Sequence, residues 1–245
     1  MSQFLAGNYT GPAFELFGAA HIAALLCLVA VNLFLVRFRN SSETTKRSIR
    51  WTLAIVIWTA EISWHVWNLY WGYWSVQFML PLNVCSVLIW LSGFMLILKN
   101  RPIYEFAYFL GIAACANYLL TPDLGIYGFP HYRFIQTFIS HGGVITAAVY
   151  MTVVEGLRPT WKSFGRVLLG TNVYMLAIYF INTALGSNYL LMNAKPTTAS
   201  MLEFMPAWPY YIIDLELIGI AIFLLLYLPF LIQDWRASRV SVAQD

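Results

Sequence analysis

The chain has 245 residues, of which 60% are hydrophobic, 17% aromatic and only 10% charged. Soluble domains run at about 25% charged and 45–50% apolar, so these side chains cannot clothe a water-soluble globule, and the mean hydropathy of +0.67 agrees. The net charge of +3 does not mark a nucleic-acid binder, because the basic residues flank apolar blocks instead of forming a patch.

A hydrocarbon core about 30 Å thick takes roughly 20 apolar residues per helix. Seven segments qualify, at approximately residues 14–36, 51–71, 78–98, 103–120, 134–154, 167–186 and 210–232. None alternates with the period of a barrel strand. The sequence therefore reads as an all-α, polytopic membrane protein, a seven transmembrane helix bundle forming a single domain over residues 1–245. The amino end, Met1 to Ala13, has no basic region and no cleavage site, so no removable signal peptide is expected. Cys27, Cys85 and Cys115 all lie inside the apolar segments, which argues against a disulfide framework.

Taken in order, the first span carries His21 within its first two turns. The second carries Glu61, His65 and Asn68 together with Trp58, Trp64, Trp67, Trp71 and Trp74. Gln77, Pro81, Asn83, Cys85 and Ser86 open the third. The fourth closes on Asn117 and Thr121, where Pro122 ends the helix, and Asp123 follows. His131 lies in the next loop and is expected to be solvated. The fifth span opens with Gln136, Thr137, Ser140 and His141, the sixth ends at Asn182 and Asn188, and the seventh starts with Asp214 and Glu216.

Of the 14 lysines and arginines, all but Arg133 and Lys195 fall in connections on one side of these spans. The positive-inside rule then predicts an amino terminus outside and a cytoplasmic carboxyl terminus. With that orientation the polar groups gather in the outer halves of the spans. Such groups are expensive inside a membrane and usually line a cavity, so a polar cavity open toward the outer side is expected.

Each group also has a plain structural reading. Glu61 and His65 share one helical face and can simply pair. Asn83, Asn117 and Asn182 suit interhelical hydrogen bonds, and the tryptophans suit an interfacial belt. Cys27 and Cys115 suit packing as small hydrophobes.

One stretch carries more chemistry. In Leu80-Pro81-Leu82-Asn83-Val84-Cys85-Ser86, proline near a span's start opens the helix locally and Cys85 follows at the depth of the polar groups. His141, in Phe138-Ile139-Ser140-His141-Gly142-Gly143, sits at similar depth on another span. A cysteine attacks as thiolate and needs a neighbouring base. Gly142 and Gly143 permit the close helix approach that would bring that base to it.

These motifs, with Leu120-Thr121-Pro122-Asp123-Leu124, Asn188-Tyr189-Leu190, Lys195-Pro196, Ala199-Ser200 and Trp208-Pro209-Tyr210-Tyr211, resemble the YwaF-type bacterial integral membrane proteins. The likeness covers spans three to seven in order, and the apolar pattern of the first two spans fits. That family is similar to an animal transmembrane family implicated in acyl transfer to ether-linked lysophospholipids, for which a cysteine and a histidine are the proposed pair. More distantly it resembles androgen-induced membrane hydrolases of fatty-acid esters, which use threonine and histidine. The family often has histidine where this chain has Asn83.

The resemblance implies a multi-pass protein of the bacterial cytoplasmic (inner) membrane that meets membrane phospholipid or lysophospholipid within the bilayer. It places the catalytic pair on Cys85 and His141, without a cofactor and without a nucleic-acid partner. The expected function is that of a lipid acyltransferase, transacylase or esterase working through a thioester. Asp214 or Glu61 could orient a histidine, and Asn83 or Asn117 could donate to an oxyanion. His65, Asp123, Asn182, Glu216 and His21 complete the expected cavity. The outer half, with Glu61, Asp123, Glu203, Asp214 and Glu216 and few basic groups, suits a zwitterionic or cationic head group. Two alternatives stand beside this reading. One is a metal-dependent lipid hydrolase drawing ligands from His21, His65, His141, Glu61 and Asp214. The other is a non-enzymatic lipid or small-molecule binding or transport protein, with Glu61 and His65 as a proton-linked pair.

Overall fold

A computed structural model of the chain describes residues 3–195 and 204–242. Pro196, Ala199, Ser200 and Glu203 lie outside the described residues. The long elements are seven helices: α1 (Ala19–Leu35), α2 (Glu43–Tyr70), α3 (Val84–Leu98), α4 (Arg101–Leu120), α5 (Tyr132–Val153), α6 (Trp161–Leu185) and α7 (Tyr211–Val242). No strand occurs among the described residues. Five of the helices, α1 with its 3-10 extension to Asn40 and α4 to α7, are long and apolar enough to cross a bilayer. The chain is a multi-pass membrane protein. In α2 the apolar run is diluted by Glu61, His65, Asn68 and the indoles, and α3 is apolar but short.

The departures from the expected boundaries have local causes. Helix α2 begins well before residue 51 because Ser42 caps it, its Oγ accepting from Thr45 N at 3.2 Å. Helix α6 begins early because Thr160 and Ser163 form a reciprocal capping box. Helix α3 begins late. Pro81 has no N–H and disfavours helix at Leu80, and Asn83 takes the N-cap position with extended backbone. At about 1.5 Å per residue, the 15 residues of α3 are shorter than the hydrocarbon core. The non-helical residues 71–83 precede it, so the expected span at 78–98 loses its first six residues to the proline-containing segment. Cys85 consequently lies in the first turn of a helix instead of inside one.

The chain divides into two compact units, Met1–Leu157 and Arg158–Asp245. In the first, α5 is central and packs on α1, α2, α3 and α4. A Cβ on Gly143 would stand 2.6 Å from Ile57 Cγ1 of α2, and one on Gly142 would stand 3.1 Å from Leu28 Cδ1 of α1. The glycine pair therefore admits α2 and α1. Helix α4 contains a π turn at Ala107–Gly111, and a Cβ on Gly111 would meet Val144 Cγ1 of α5 at 3.0 Å.

At one end of this unit an ion cluster ties α2, α3 and α5 together. Arg50 pairs with Glu155 and, at 2.9 Å, with Glu43, while Lys99 reaches Glu43 at 2.9 Å and Glu155 at 2.7 Å. Hydrogen bonds from Lys99 and then Arg50 hold the Glu43 carboxyl below the ordinary range.

At the opposite end, the amino-terminal segment and residues 121–131 cover the helices. Gly128 N donates to Pro12 O at 3.2 Å and Phe14 N to Gly125 O at 3.1 Å. Trp67 and Trp71 both donate to Leu5 O at 3.0 Å. His131, expected to be solvated, is fully buried at the centre of this cap. Its Nε2–H donates to Ala6 O at 3.1 Å, its Nδ1 accepts from Arg133 N at 3.1 Å, and Tyr9, Tyr127 and Trp67 enclose the ring. A short loop with a fixed imidazole at its end can fold under the amino-terminal segment, which polarity alone does not reveal.

In the second unit, Asn182 organises the return from α6. Its Nδ2 donates to Tyr189 O at 2.9 Å and Asn193 Oδ1 at 2.8 Å, and its Oδ1 accepts from Ser187 Oγ and Tyr189 N, each at 2.8 Å. The hub holds Leu190 and Leu191 at φ of 57° and 54°, a region unfavourable to side-chain-bearing residues.

Candidate functional site

Cys85, in the first turn of α3, lies within electrostatic reach of His141 of α5 and of Cys115 of α4. Three helices thus converge on one sulfur. Cys85 is half-buried, whereas Cys115 is fully buried, so only Cys85 has access to a reactant. The first-turn N–H groups of α3 have no helical carbonyl to meet, and their partial positive charge favours a thiolate at this position.

His141 is held in one tautomer. Its Nδ1 lies 3.1 Å from Thr137 O and 3.1 Å from Ser140 Oγ. A carbonyl oxygen only accepts, so Nδ1 carries the proton and the neutral ring keeps its lone pair on Nε2. Ser140 Oγ itself donates to Thr137 O at 3.3 Å and accepts from Gln136 Nε2 at 3.3 Å. Tyr118 of α4 stacks on the imidazole, with centroids 4.2 Å apart and planes 16° apart. A backbone carbonyl and an aromatic face therefore set this ring, and no carboxylate among the described residues pairs with it. The arrangement supplies a nucleophile and an oriented base.

The other expected residues occupy several places. His21 is buried, with Nε2 donating to Leu119 O at 2.9 Å and Nδ1 accepting from Phe17 N at 3.0 Å. Both ring nitrogens are committed to backbone, and the residue ties α1 to the end of α4. Glu61 and His65 pair at 3.6 Å, and His65 Nδ1 accepts from Trp74 Nε1 at 3.1 Å. Asn83 occupies the N-cap position of α3 without a side-chain cap bond, while Asn117 and Asp123 are exposed. Asn182 and Asp214 belong to the second unit, as does Glu216, which accepts from Asn172 Nδ2 at 2.7 Å. Among the described residues no three His, Cys, Asp or Glu side chains gather as a metal would require, so the donors of the metal alternative are dispersed.

The indoles differ from a simple belt. Trp58 donates to Trp90 O at 3.1 Å, Trp67, Trp71 and Trp74 are bonded as described, and Trp64 lies under the Arg133 guanidinium, 3.6 Å from its ring centroid. Two pockets open near this end of the unit. One, of about 290 Å³, is walled by Trp67, Tyr70, Trp71 and Tyr132, and the other, of about 170 Å³, by His21, Phe14 and Phe134. Neither is lined by Cys85 or His141.

Three participants escaped the sequence reading. Cys115 and Tyr118 stand three apart on α4, a spacing that puts both on one helical face, and that spacing could have flagged them. Arg133, Thr137 and His141 recur at intervals of four along α5 and share a face for the same reason.

The TMEM164 family model matches residues 16–227, an interval that contains every residue of this site. No curated protein and no solved structure matches the chain.

Proposed function

The chain belongs to the TMEM164 family, and from that premise we propose that it is a membrane-embedded acyltransferase or lipid esterase whose nucleophile is Cys85 and whose base is His141. The observation that carries the reading is the nearness of Cys85 to His141, combined with a Thr137 carbonyl contact at Nδ1 that leaves Nε2 as the base. His141 Nε2 takes the Cys85 proton, and the thiolate attacks an acyl ester carbonyl. The tetrahedral intermediate collapses by breaking the ester C–O bond. The lysolipid oxygen leaves with the proton from His141, and the acyl group remains as a Cys85 thioester. A hydroxyl of a lysophospholipid or of water then gives its proton to His141 and attacks the thioester. The new ester or free acid departs and the Cys85 thiol is restored.

First-turn amides of α3, aimed at the carbonyl that Cys85 attacks, are the donors we assign to the oxyanion. No carboxylate takes the orienting part, because the Thr137 carbonyl already holds Nδ1. The Cys115 thiol acts as a donor to the Cys85 sulfur.

The asymmetry of lysines and arginines supports an amino terminus outside and a carboxyl terminus in the cytoplasm. The YwaF resemblance supports a bacterial cytoplasmic membrane as the location. The single-domain reading of residues 1–245 supports assaying the intact chain. Purified protein given phospholipid donors and lysophospholipid acceptors is expected to transfer acyl chains. Cys85→Ala and His141→Ala are each expected to lose at least a hundredfold in kcat, since a positioned base contributes about 10²–10⁴. Full activity in either variant would refute the pair.

A further inference from the structure

We propose that Arg133 is the anchor for the phosphate of a glycerophospholipid, set two helical turns nearer the membrane surface than the Cys85–His141 pair. The inference rests on the acyl-transfer reading and adds the part of the substrate that the pair itself cannot recognise. Arg133 stands in the first turn of α5. Among the described residues no carboxylate oxygen lies within 4.0 Å of it. Arg50, which is buried, has two carboxylates by contrast. A cation at a bilayer boundary without an acid is costly unless something else answers its charge. Here the answers are neutral: Trp64 beneath the guanidinium at 3.6 Å, Gln136 Oε1 at 2.8 Å, Thr137 Oγ1 at 3.2 Å and the Tyr118 side chain. These fix the group's position and leave its full charge for a ligand.

Donors also remain. A guanidinium has five N–H groups. Both bonds to Gln136 and Thr137 leave from Nη1, so neither uses the edge formed by Nε and Nη2. That edge is the one that grips phosphate in a bidentate manner.

The connection to the chemistry is direct. Thr137 accepts from Arg133 through Oγ1 and from His141 through its carbonyl. Tyr118 interacts with Arg133 and stacks on His141. Arg133 and His141 lie on one face of α5, about 12 Å apart along the axis at 1.5 Å per residue, with Arg133 toward the helix end and His141 deeper. A glycerophospholipid in a bilayer has the same order, with phosphate at the interface and ester carbonyls deeper. The zwitterionic head group expected from the acidic residues is compatible with such an anchor, because it carries a phosphate for Arg133 to meet.

The test uses full-length Cys85→Ala protein in detergent micelles, which binds without turnover. Affinities are measured for 1-palmitoyl lysophosphatidylcholine, for 1-palmitoylglycerol, which lacks the phosphate, and for inorganic phosphate. Adding Arg133→Gln is expected to weaken lysophosphatidylcholine at least tenfold and to leave 1-palmitoylglycerol unchanged, which also certifies the fold. Arg133→Lys should fall between. Equal losses for both lipids, or no loss for lysophosphatidylcholine, would overturn the proposal. Inorganic phosphate binding as tightly as the lysolipid would overturn the lipid as the phosphate's source. If wild-type protein transferred no acyl chain while Arg133→Gln still discriminated the two lipids, the acyl-transfer reading would fail and phosphate recognition would stand.

Discussion

At the residue scale, the decisive contact is the one between His141 Nδ1 and the Thr137 carbonyl. Because a carbonyl cannot release its role as acceptor, Ser140→Ala should cost less than about tenfold in kcat, well below the roughly 10⁴ that follows when a triad loses its only orienting group. A loss as large as that of His141→Ala would contradict the assignment. Tyr118→Leu removes the stacked face and leaves the nitrogen contacts. It should lower kcat by about tenfold to a hundredfold through misplacement of the ring, with acyl-donor binding retained. Cys115→Ala should slow alkylation of Cys85 by iodoacetamide at neutral pH, since the donor to its sulfur is gone; an unchanged rate would remove Cys115 from the site. Sequence alone exposed Cys85 and His141 because each is a reactive type at polar depth in a distinctive motif. Cys115 is fully buried, as its apolar neighbours suggest, and the sequence does not show that Cys85 stands beside it; nor does it show the neutral partners of Arg133, which only the fold assembles. His21 is expected to line a cavity and does wall the smaller pocket, but nothing in the sequence tells a ligand from a histidine satisfied by two backbone groups.

At the element scale, helix existence was legible from apolar length, and helix ends followed from caps. Ser42, Thr160 and Pro81 moved three boundaries in ways a pure hydropathy reading misses. Which helices meet was not legible: Gly142 and Gly143 signalled a close approach without naming α1 and α2 as the partners. Gly143→Val should destabilise the first unit by ~1–3 kcal/mol through overpacking on Ile57, read as a lower Tm; an unchanged Tm would deny the contact. The ion cluster yields a larger effect. The Arg50 and Glu155 side chains are each 6% exposed, so Glu155→Gln leaves a buried cation short of its acid and should cost ~3–5 kcal/mol.

The pH behaviour of the two ends differs. Glu43 has its folded pKa below the ordinary 4.5, so its contribution is present above that value and is lost as pH falls through the lower one. His131 has its folded pKa pushed below 6.5, chiefly by burial. The unfolded chain therefore takes up its proton first, and stability present above about 6.5 declines as pH falls toward the folded value. His131→Asn should abolish that component of the Tm decline between about pH 7 and 5; equal slopes in both proteins would contradict it.

At the scale of the whole molecule, scarcity of charge identified the membrane, and the structure agrees through five helices that can each cross it. Among the described residues, the polar groups expected at the outer depth have separate partners: some join the buried cap, Asn182 forms its own hub in the second unit, and His141 stands beside Cys85. That division was invisible in the sequence because depth is shared by residues with quite different partners. Membership in the TMEM164 family extends across the helices that supply Cys85, Cys115 and His141, so the claim to test is that this bundle carries an acyl chain on one sulfur. Reconstituted protein should be mixed with a phospholipid donor in the absence of acceptor, and its intact mass recorded. A single acyl increment that maps to Cys85, is released by neutral hydroxylamine and is absent from Cys85→Ala is the expected result. An unmodified Cys85 in protein that nonetheless transfers acyl chains would contradict the account.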